Sequence, residues 1–255
     1  MKYINKFIFK IRSLAWNGFA YLLVLLGLAR REKSTAAFSS DEEFTRQWLR
    51  HRQFTDFLAQ NGLLKGKLLD VGCGKMDLLR RINLRAKGAC ELNGCDWIPV
   101  DKNPKIDEIP YRQVDLNNDG LKSFEDASFD IVIASEVFEH LENPSSILRE
   151  INKKLKPNGH LVFSVPNAVN LYERYQFLFT GNSHRYQIEK PNEFGHITFY
   201  TKNIIVSLCN RTGFRLIKEG TGYFYISGYF FLPRIQFSPL FSYSATYCLR
   251  KEQDV

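Results

Sequence analysis

The sequence predicts an α/β fold built on a doubly wound, mostly parallel sheet. One observation is the segment KLLDVGCG at residues 67–74, a short apolar run followed by two glycines one residue apart. A helical pattern begins directly after it, and further apolar runs alternate with helical segments up to residue 220. Glycine permits the positive φ of a sharp strand-to-helix turn and lets a ligand approach the main chain. Together these features form the first unit of a nucleotide-binding sheet.

The residues of the glycine turn favour a positively charged ligand. A dinucleotide fingerprint needs a third glycine, three residues after the second, to bind a pyrophosphate. Here that position is Asp77, whose carboxylate would repel a phosphate. Asp70, two residues before Gly72, adds a second acidic group at the turn. A cationic compound therefore suits this turn better than a phosphate ligand does.

Most of the positive charge of this 255-residue chain lies near its start. The formal net charge is +8, and residues 1–33 contain seven Lys or Arg against one Glu, which contributes +6 and leaves +2 for the rest. The body of the protein is therefore nearly neutral, and the basic surface is the N-terminal segment. The five cysteines are odd in number and irregularly spaced. This favours free thiols in a reducing compartment over a disulfide framework.

Residues 1–33 are predicted to form a helical arm that associates with a membrane. Apolar residues recur at helical spacing over residues 2–12, with Lys and Arg on the other side, as in helices that lie on anionic membranes. The uncharged stretch 14–29 would be about 24 Å long as a helix, short of the roughly 30 Å hydrocarbon core. We expect an in-plane or re-entrant anchor on the cytoplasmic face. A transmembrane anchor, a signal peptide and a helix packed on the protein's own core are the alternatives.

The rest of the chain divides into a linker at 34–40 and a globular domain at 41–255. Periodicity, capping residues and Gly or Pro breaks predict helices at residues 41–61, 76–86, 144–156 and 201–213. Apolar runs predict strands at residues 67–71, 91–97, 128–134, 160–165, 214–219 and 245–250. Because strands alternate with helices, the sheet is expected to be mostly parallel.

Further segments follow in the order of the motifs of a known enzyme class. Residues 94–99 (GCDWIP) carry the pattern G-x-D-x-x-P, residues 111–116 (YRQVDL) place an acid near the end of a third strand, and residues 128–134 (SFDIVIA) form an apolar strand. With the glycine turn, they resemble the class I S-adenosylmethionine-dependent methyltransferases, and among these the ubiquinone-pathway O-methyltransferase-like group. The resemblance implies a Rossmann-like sheet of seven strands with the last strand antiparallel. It also implies S-adenosylmethionine as the cofactor.

The resemblance further implies which residues bind the cofactor. Asp70 and the two glycines would hold its methionine end, although the Asp70 carboxylate could also accept bonds from the turn amides. Asp96 would receive the ribose hydroxyls, with Asp101 and Asp107 as alternatives, and Asp115 and the residue after it would face the adenine. The expected cofactor residues are Asp70, Gly72, Cys73, Gly74, Asp96, Trp97, Asp115, Leu116 and Ser135.

If the methyl acceptor is a hydroxyl, a general base helps the reaction. Glu136, Glu139 and His140 have the spacing i, i+3, i+4 and share one face if a helix begins there. His140 and His196 are the expected bases, with Glu136 beside them, and His184 is a further histidine in a suitable place. The pattern E-x-x-E-H with His196 downstream also resembles the metal-binding motif of ubiquinone-pathway and small-RNA 2′-O-methyltransferases. No metal is assigned, but the candidate ligands would be Glu136, Glu139, His140 and His196, and purely structural roles are the third alternative.

Two irregular segments are expected to define the methyl acceptor. Residues 170–194 are too long for an ordinary connection and are predicted to form a substrate lid. Residues 223–241 form an aromatic insertion with turn residues, as a membrane-facing rim would. With the basic arm, these segments predict an amphiphilic small-molecule or lipid-linked acceptor, such as a prenylated quinol precursor or a lipid-linked sugar.

The predicted function is therefore methyl transfer from S-adenosylmethionine to an acceptor at a membrane, directed to oxygen rather than to nitrogen or carbon. An RNA 2′-O-methyltransferase is one alternative, and the nearly neutral body argues against it because nucleic-acid-binding surfaces are basic. A non-catalytic module with the methyltransferase fold is another, and the intact glycine turn argues against that.

Overall fold

A seven-stranded sheet with helices on both faces forms the centre of the structure. The computed structural model describes residues 30–31, 41–97, 109–181, 183, 195–222, 224–227, 230–232, 240 and 242–255. The helices are α1 (Asp41–Gln60), α2 (Asp77–Ala86), α3 (Pro144–Lys154), α4 (Leu171–Thr180), α5 (Lys202–Asn210) and a short 3₁₀ helix (Phe138–His140). The strands are β1 (Arg30–Arg31), β2 (Gly66–Val71), β3 (Cys90–Asp96), β4 (Tyr111–Gln113), β5 (Phe129–Ser135), β6 (Leu155–Pro166), β7 (Phe214–Thr221), β8 (Phe224–Ser227), β9 (Phe230–Leu232) and β10 (Ser244–Lys251).

The large sheet has the strand order β4-β3-β2-β5-β6-β10-β7. The first five of these strands are parallel, and β10 runs antiparallel between β6 and β7, with Thr246 opposite Ser164 on one side and Gly220 on the other. This confirms the predicted sheet, with the last strand antiparallel. The strand order reverses at β2, and ligands of such sheets bind at the carboxyl ends of the strands beside this reversal.

The predicted helices are present, and their ends differ by a few residues. α2 begins at Asp77 because Met76 has a left-handed φ of 63°. α3 ends at Lys154, two residues earlier than predicted, because Leu155 is fully buried in extended conformation and starts β6. α5 begins after Thr201, whose hydroxyl accepts the N–H of Ile204.

Apolar side chains pack on both faces of the large sheet and fix the positions of its strands. On one face, α1 and α2 bury Phe54, Leu79 and Ile82 against the sheet. On the other face, α3 and α5 bury Ile151 and Ile205. Each such side chain contributes about 1.5–3 kcal/mol when it is fully buried. The carboxyl ends of the strands are therefore held by packing from both sides.

A second, three-stranded sheet joins the end of the predicted arm to the aromatic insertion. β1 pairs antiparallel with β9, so that Arg30 lies opposite Phe231, and β9 pairs antiparallel with β8. Residues 1–29 and the whole of the predicted linker at 34–40 lie outside the described residues. In the described part of the chain, no helix is both long enough and apolar enough to cross a bilayer. The membrane-associating arm therefore stays a prediction.

The first part of the predicted lid forms α4. Asn170 caps this helix by accepting the N–H of Glu173 at 2.9 Å, and the N–H of Leu171 donates to the carbonyl of Leu240 at 2.7 Å. The latter bond ties the start of α4 to the end of the aromatic insertion. Residues 184–194, with His184, lie outside the described residues. The large apolar side chains of α4 that are at least half exposed are Leu171, Tyr175, Phe177, Leu178 and Phe179.

Candidate active site

The glycine turn lies at the carboxyl end of β2, beside the reversal of strand order. Gly72 and Gly74 have φ values of 75° and 53°, the left-handed backbone that favours glycine. A Cβ on Gly72 would lie 2.5 Å from Cγ2 of Val137, whereas no atom of the described residues lies within 4 Å of a Cβ placed on Gly74. Gly72 therefore lets the segment after β5 pack on the turn. Within the described part of the chain, Gly74 therefore leaves its main chain accessible to a ligand.

Asp70, at the base of the turn, fits a cationic ligand. The residue is 1% exposed, and neither carboxylate oxygen has a hydrogen-bond partner among the described residues. Burial, and then the nearby Asp96 carboxylate, raise the pKa of Asp70 well above its usual range. A buried carboxylate is costly to ionise unless an opposite charge is close. The ammonium and sulfonium of S-adenosylmethionine would supply such a charge, so the residues present fit this group.

Asp96 ends β3 and is bonded to the glycine turn. Its Oδ2 atom accepts the N–H of Gly74 at 2.7 Å, and the residue is 6% exposed. The next residue, Trp97, is largely exposed, and its carbonyl accepts a bond from the Gln113 side chain at 3.0 Å. Asp96 and Trp97 thus lie at the predicted edge of the sheet. The two alternative acids for the ribose, at positions 101 and 107, lie outside the described residues.

Asp115 and Leu116 follow β4 at the same edge. The exposed Asp115 carboxylate accepts bonds from the Asn118 side chain at 2.8 Å and from the N–H of Asn117 at 2.9 Å. These two bonds, the Asn118 bond first, lower the pKa of Asp115. Leu116 is partly buried against the core. Asp115 is thus held as a carboxylate by its own turn, and its contact with adenine stays a prediction.

Cys73 and Ser135 are the remaining predicted cofactor residues. The Cys73 side chain is buried, and burial raises the pKa of its thiol far above the usual range, so it packs as a neutral group. Ser135 ends β5, and its hydroxyl lies 3.3 Å from that of Ser164 on β6. The ends of β2, β3, β4 and β5 therefore bring the predicted cofactor residues to one edge of the sheet, and their contacts with the cofactor stay predictions.

Two histidines and a buried glutamate meet beyond the end of β5. The Nε2 atoms of His140 and His196 each lie 3.9 Å from Oε1 of Glu139, and the two ring centres are 4.8 Å apart. Glu139 is fully buried. Its carbonyl accepts the N–H groups of Ile197 at 2.8 Å and Thr198 at 3.2 Å. These backbone bonds hold the segment after residue 194 against the 3₁₀ helix, so the predicted pair of histidines is brought together.

His140 is oriented with one ring nitrogen available to accept a proton. Its Nδ1 atom lies 3.0 Å from the carbonyl oxygen of Gly195. A carbonyl only accepts, so this hydrogen bond requires the proton on Nδ1 and leaves the lone pair of the neutral ring on Nε2. Burial lowers the pKa of His140, opposed by the Gly195 bond and by the charge of Glu136. A neutral imidazole in this tautomer can act as a general base through Nε2.

Glu136 does not share a helical face with Glu139 and His140, contrary to the prediction. The short helix begins only at Phe138, and Glu136 has a left-handed φ of 57°, so the expected i, i+3, i+4 geometry is not formed. Its carboxylate faces α1 instead, with Oε2 3.9 Å from Nη1 of Arg50. Among the described residues, the potential metal-ligating atoms that lie within 4.8 Å of one another belong to Glu139, His140 and His196, without Glu136.

Arg50 lies beside the candidate site, although no sequence motif predicts it. It lies on α1, four residues before the buried Phe54 and seven before the buried Phe57. Residues at this spacing share one face of a helix, so the apolar pattern of α1 could have indicated that Arg50 faces the sheet. The apolar pattern of α1 does not identify Glu136 as the partner of Arg50. Glu136 faces Arg50 because its own backbone, directly after β5, has a left-handed φ.

Comparison with known protein families agrees with this geometry. A family model described as a methyltransferase domain matches residues 42–219. The matched region runs from α1 into β7 and includes every residue of the candidate site.

The chain is also similar to a ubiquinone biosynthesis O-methyltransferase from Actinobacillus pleuropneumoniae serotype 7. The two are 33% identical over 123 residues, which cover 44% of this chain and 51% of the relative. The chain thus spans about half the length of this relative.

Two solved structures share the fold. One is a complex between the Trm112 methyltransferase activator and a methyltransferase of Haloferax volcanii, with a TM-score of 0.58, 17% identity and coverage of 83% of this chain and 93% of that one. The other is the 1,6-didemethyltoxoflavin-N1-methyltransferase of Burkholderia thailandensis with bound 1,6-didemethyltoxoflavin and S-adenosylhomocysteine. Its TM-score is 0.53, at 12% identity, over 88% of this chain and 95% of that one. At these identities the likeness establishes the fold alone.

Proposed function

The chain belongs to the class I S-adenosylmethionine-dependent methyltransferase family, and from that premise we propose that it methylates a hydroxyl of an amphiphilic or lipid-linked small molecule at the cytoplasmic face of a membrane. The family makes the chain an enzyme that uses S-adenosylmethionine. The oxygen acceptor and the membrane are the proposed part. The proposal of an oxygen acceptor rests on one observation. His140, His196 and Glu139 meet beyond the end of β5, at the same edge of the sheet as the predicted cofactor residues.

The residues at the glycine turn have one main task in this reaction. When bound, S-adenosylmethionine supplies a methyl group on a sulfonium, a carbon already activated for in-line displacement. Alignment of the acceptor with that carbon and exclusion of water are then the main contributions of the protein. Asp70 would bind the positive methionine end in the open space beside Gly74. Asp96 would bind the ribose, and Asp115, Leu116 and Trp97 would contact the adenine.

The histidine cluster supports a hydroxyl as the nucleophile. A hydroxyl must lose its proton as it is methylated, and a positioned base contributes typically 10²–10⁴-fold to such a step. His140 presents the Nε2 lone pair, with Nδ1–H bonded to the Gly195 carbonyl. The buried carboxylate of Glu139, 3.9 Å from both Nε2 atoms, would stabilise the imidazolium that forms. The name of the Actinobacillus relative, an O-methyltransferase, supports the same atom.

Three features support an amphiphilic or lipid-linked acceptor and a membrane surface. The arm at residues 1–33 combines a charge of +6 with an uncharged stretch at 14–29. The end of this arm, β1, pairs with β9 of the aromatic insertion. The same insertion is bonded to the start of α4, whose apolar side chains are exposed. A prenylated quinol precursor or a lipid-linked sugar would match such a surface.

The test is methyl transfer from radiolabelled S-adenosylmethionine to a membrane lipid extract, a pool of small metabolites and total RNA. We expect label in the lipid extract. We also expect His140→Ala to lower the rate by about 10²–10⁴-fold while cofactor binding, followed by calorimetry, is retained. Label confined to RNA would favour the 2′-O-methyltransferase alternative. If a chelator abolished activity and Mg²⁺ or Mn²⁺ restored it, a metal bound at the same cluster, and not a histidine base, would activate the hydroxyl.

A further inference from the structure

The residues after Gly195 form a segment whose side chains alternate between the interior and the surface. His196 is largely buried, and Tyr200 is 3% exposed. Ile197 and Phe199, which alternate with them, are 45% and 41% exposed. This alternation is typical of an extended chain, in which side chains two or four residues apart point to the same face. His196 and Tyr200 therefore both face the interior of the protein.

Tyr200 bonds this segment to the 3₁₀ helix through its side chain. Its hydroxyl donates to the carbonyl oxygen of Phe138 at 3.2 Å. Burial raises the pKa of Tyr200, so the phenol keeps its proton and serves as a hydrogen-bond donor rather than as a base. Phe138 comes two residues before His140, and Tyr200 comes four residues after His196. The Tyr200 hydroxyl thus joins the two pieces of chain that carry the histidines.

The 3₁₀ helix needs such bonds from outside to keep its position. It comprises the three residues Phe138–His140, and so short a helical turn is not stable by itself. The N–H groups of Ile197 and Thr198 bind the carbonyl of Glu139, and the Tyr200 hydroxyl binds the carbonyl before it. Two consecutive carbonyls of the helix are therefore held by one segment, which sets the direction in which the histidine of the helix projects.

A cavity beside Tyr200 makes the hydroxyl bond more important for the position of the ring. The cavity has a volume of about 150 Å³, and its lining includes Tyr200, Ala245 and Tyr247. A side chain that borders a void has no packing atoms on that side. The Tyr200 ring is therefore held less by packing than a fully enclosed ring would be. The bond to Phe138 supplies the missing constraint.

We propose that Tyr200 is a positioning residue that holds His140 in the orientation needed to accept the proton of the acceptor hydroxyl. The inference rests on the proposed function, since His140 acts as a base only if the acceptor is a hydroxyl. Nδ1–H of His140 donates to the carbonyl of Gly195, in the same segment as Tyr200. A shift of this segment against the 3₁₀ helix would break that bond and turn Nε2 away from the acceptor. Tyr200 resists the shift and so acts on the reaction through His140.

The first test is Tyr200→Phe, which keeps the ring and removes the hydroxyl. The assay uses labelled S-adenosylmethionine and increasing amounts of the membrane lipid extract. We expect the maximal rate to fall about 10- to 100-fold, because a displaced base loses part of its contribution. The KM for S-adenosylmethionine should not change, since the predicted cofactor residues lie at the ends of other strands.

Tyr247→Phe is the matched control for the loss of a buried hydroxyl. Tyr247 is also 3% exposed and lines the same cavity. Its ring packs on Phe163, with the ring centres 5.6 Å apart, and it belongs to β10 rather than to the histidine segment. This variant should therefore keep the maximal rate. Thermal unfolding of both variants shows whether they are folded.

A second measurement follows His140 without any acceptor. The tautomer of a neutral histidine is set by the hydrogen bonds of its ring, and the nitrogen chemical shifts in NMR spectra distinguish the two tautomers. We expect the Nδ1–H tautomer for His140 in the unmodified protein, with the signals assigned by their absence in His140→Gln. Tyr200→Phe should shift the population towards the Nε2–H tautomer, whereas Tyr247→Phe should not.

The outcomes separate this inference from the proposed function. An unchanged maximal rate in Tyr200→Phe, an equal loss in Tyr247→Phe or an unchanged His140 tautomer would each overturn the inference and leave Tyr200 with a packing role. The tautomer is measured without an acceptor, so it tests the inference even if the lipid extract gains no label. Absence of label in that extract counts against the proposed function instead.

Discussion

At the scale of single residues, Asp70 is the residue on which the proposed cation site at the glycine turn depends. Its carboxylate is buried, has no hydrogen-bond partner in the described part of the chain, and has a raised pKa. Below the unfolded-state pKa of about 3.9, the group is protonated in both states and burial is not penalised. As the pH rises through the higher folded-state pKa, this stability is lost. A bound cation would stabilise the ionised Asp70 carboxylate in the folded protein, so cation binding and ionisation of Asp70 are coupled.

Asp70→Asn should therefore have opposite effects on stability and on binding. We expect the ligand-free variant to gain stability relative to the unmodified protein between pH 5 and pH 8, measured by thermal unfolding, because it has no carboxylate to ionise. We expect its affinity for S-adenosylmethionine, measured by calorimetry, to fall about 10- to 100-fold, as for the loss of a charged partner. Asp115→Asn is the control, since that exposed carboxylate has a lowered pKa and should give no such gain. Unchanged affinity in Asp70→Asn would contradict a cation site at this position.

At the scale of elements, α4 exposes more apolar surface than a helix in contact only with water would. Leu178 is 77% exposed, and four further large apolar side chains of the same helix are at least half exposed. Contiguous exposed apolar surface marks an interaction site. Because α4 begins at a backbone bond to Leu240, it is placed beside the aromatic insertion rather than at a remote part of the molecule.

Leu178→Glu should accordingly weaken binding to lipid vesicles. Insertion of a leucine side chain into an apolar environment is worth about 1.5–3 kcal/mol, so we expect at least a tenfold lower partition coefficient. The measurement is co-sedimentation with vesicles of phosphatidylcholine and phosphatidylglycerol. Leu84→Glu on α2 is the matched control, because Leu84 is 82% exposed but lies on another part of the molecule. An equal decrease in both variants would assign the effect to charge alone and not to α4.

At the scale of the whole molecule, charge is distributed unevenly between the arm and the body. Residues 1–33 carry +6 of the net +8. A nearly neutral body is suited to a small-molecule acceptor, while a basic arm is attracted to anionic lipid. β1, at Arg30–Arg31 near the end of this segment, pairs with β9 of the aromatic insertion.

Removal of residues 1–29, which leaves β1 intact, should reduce binding to anionic vesicles. The deleted segment contains four Lys or Arg, each worth about 1 kcal/mol near an anionic surface. The affinity should therefore fall on the order of a thousandfold at low salt, and the salt dependence should largely disappear, as followed by sedimentation at several salt concentrations. Substitution of the same four cations by Gln separates charge from the apolar stretch. If the truncated chain sediments like the full chain, the arm is not the anchor.

The sequence alone determined the sheet and its cofactor edge, because these depend on local patterns. Apolar runs, helix caps and the glycine pair specify strands and helices over short segments, and parallel strands place their carboxyl ends at one edge. This rule alone places three acids, Asp70, Asp96 and Asp115, at the same edge, because each lies at or just after the end of its strand. The arm, the lid and the roles of the site residues remain predictions from the same patterns.

Only the tertiary structure decided which distant side chains meet. His196 reaches His140 because two backbone N–H groups bind the Glu139 carbonyl. Glu136 turns away from Glu139 and towards Arg50 because its φ is 57° and the helix begins two residues later than the spacing suggested. The physical reason is that helical periodicity describes a regular segment, whereas these contacts depend on the backbone angles of the turn after β5 and on the packing of α1, neither of which a local pattern specifies.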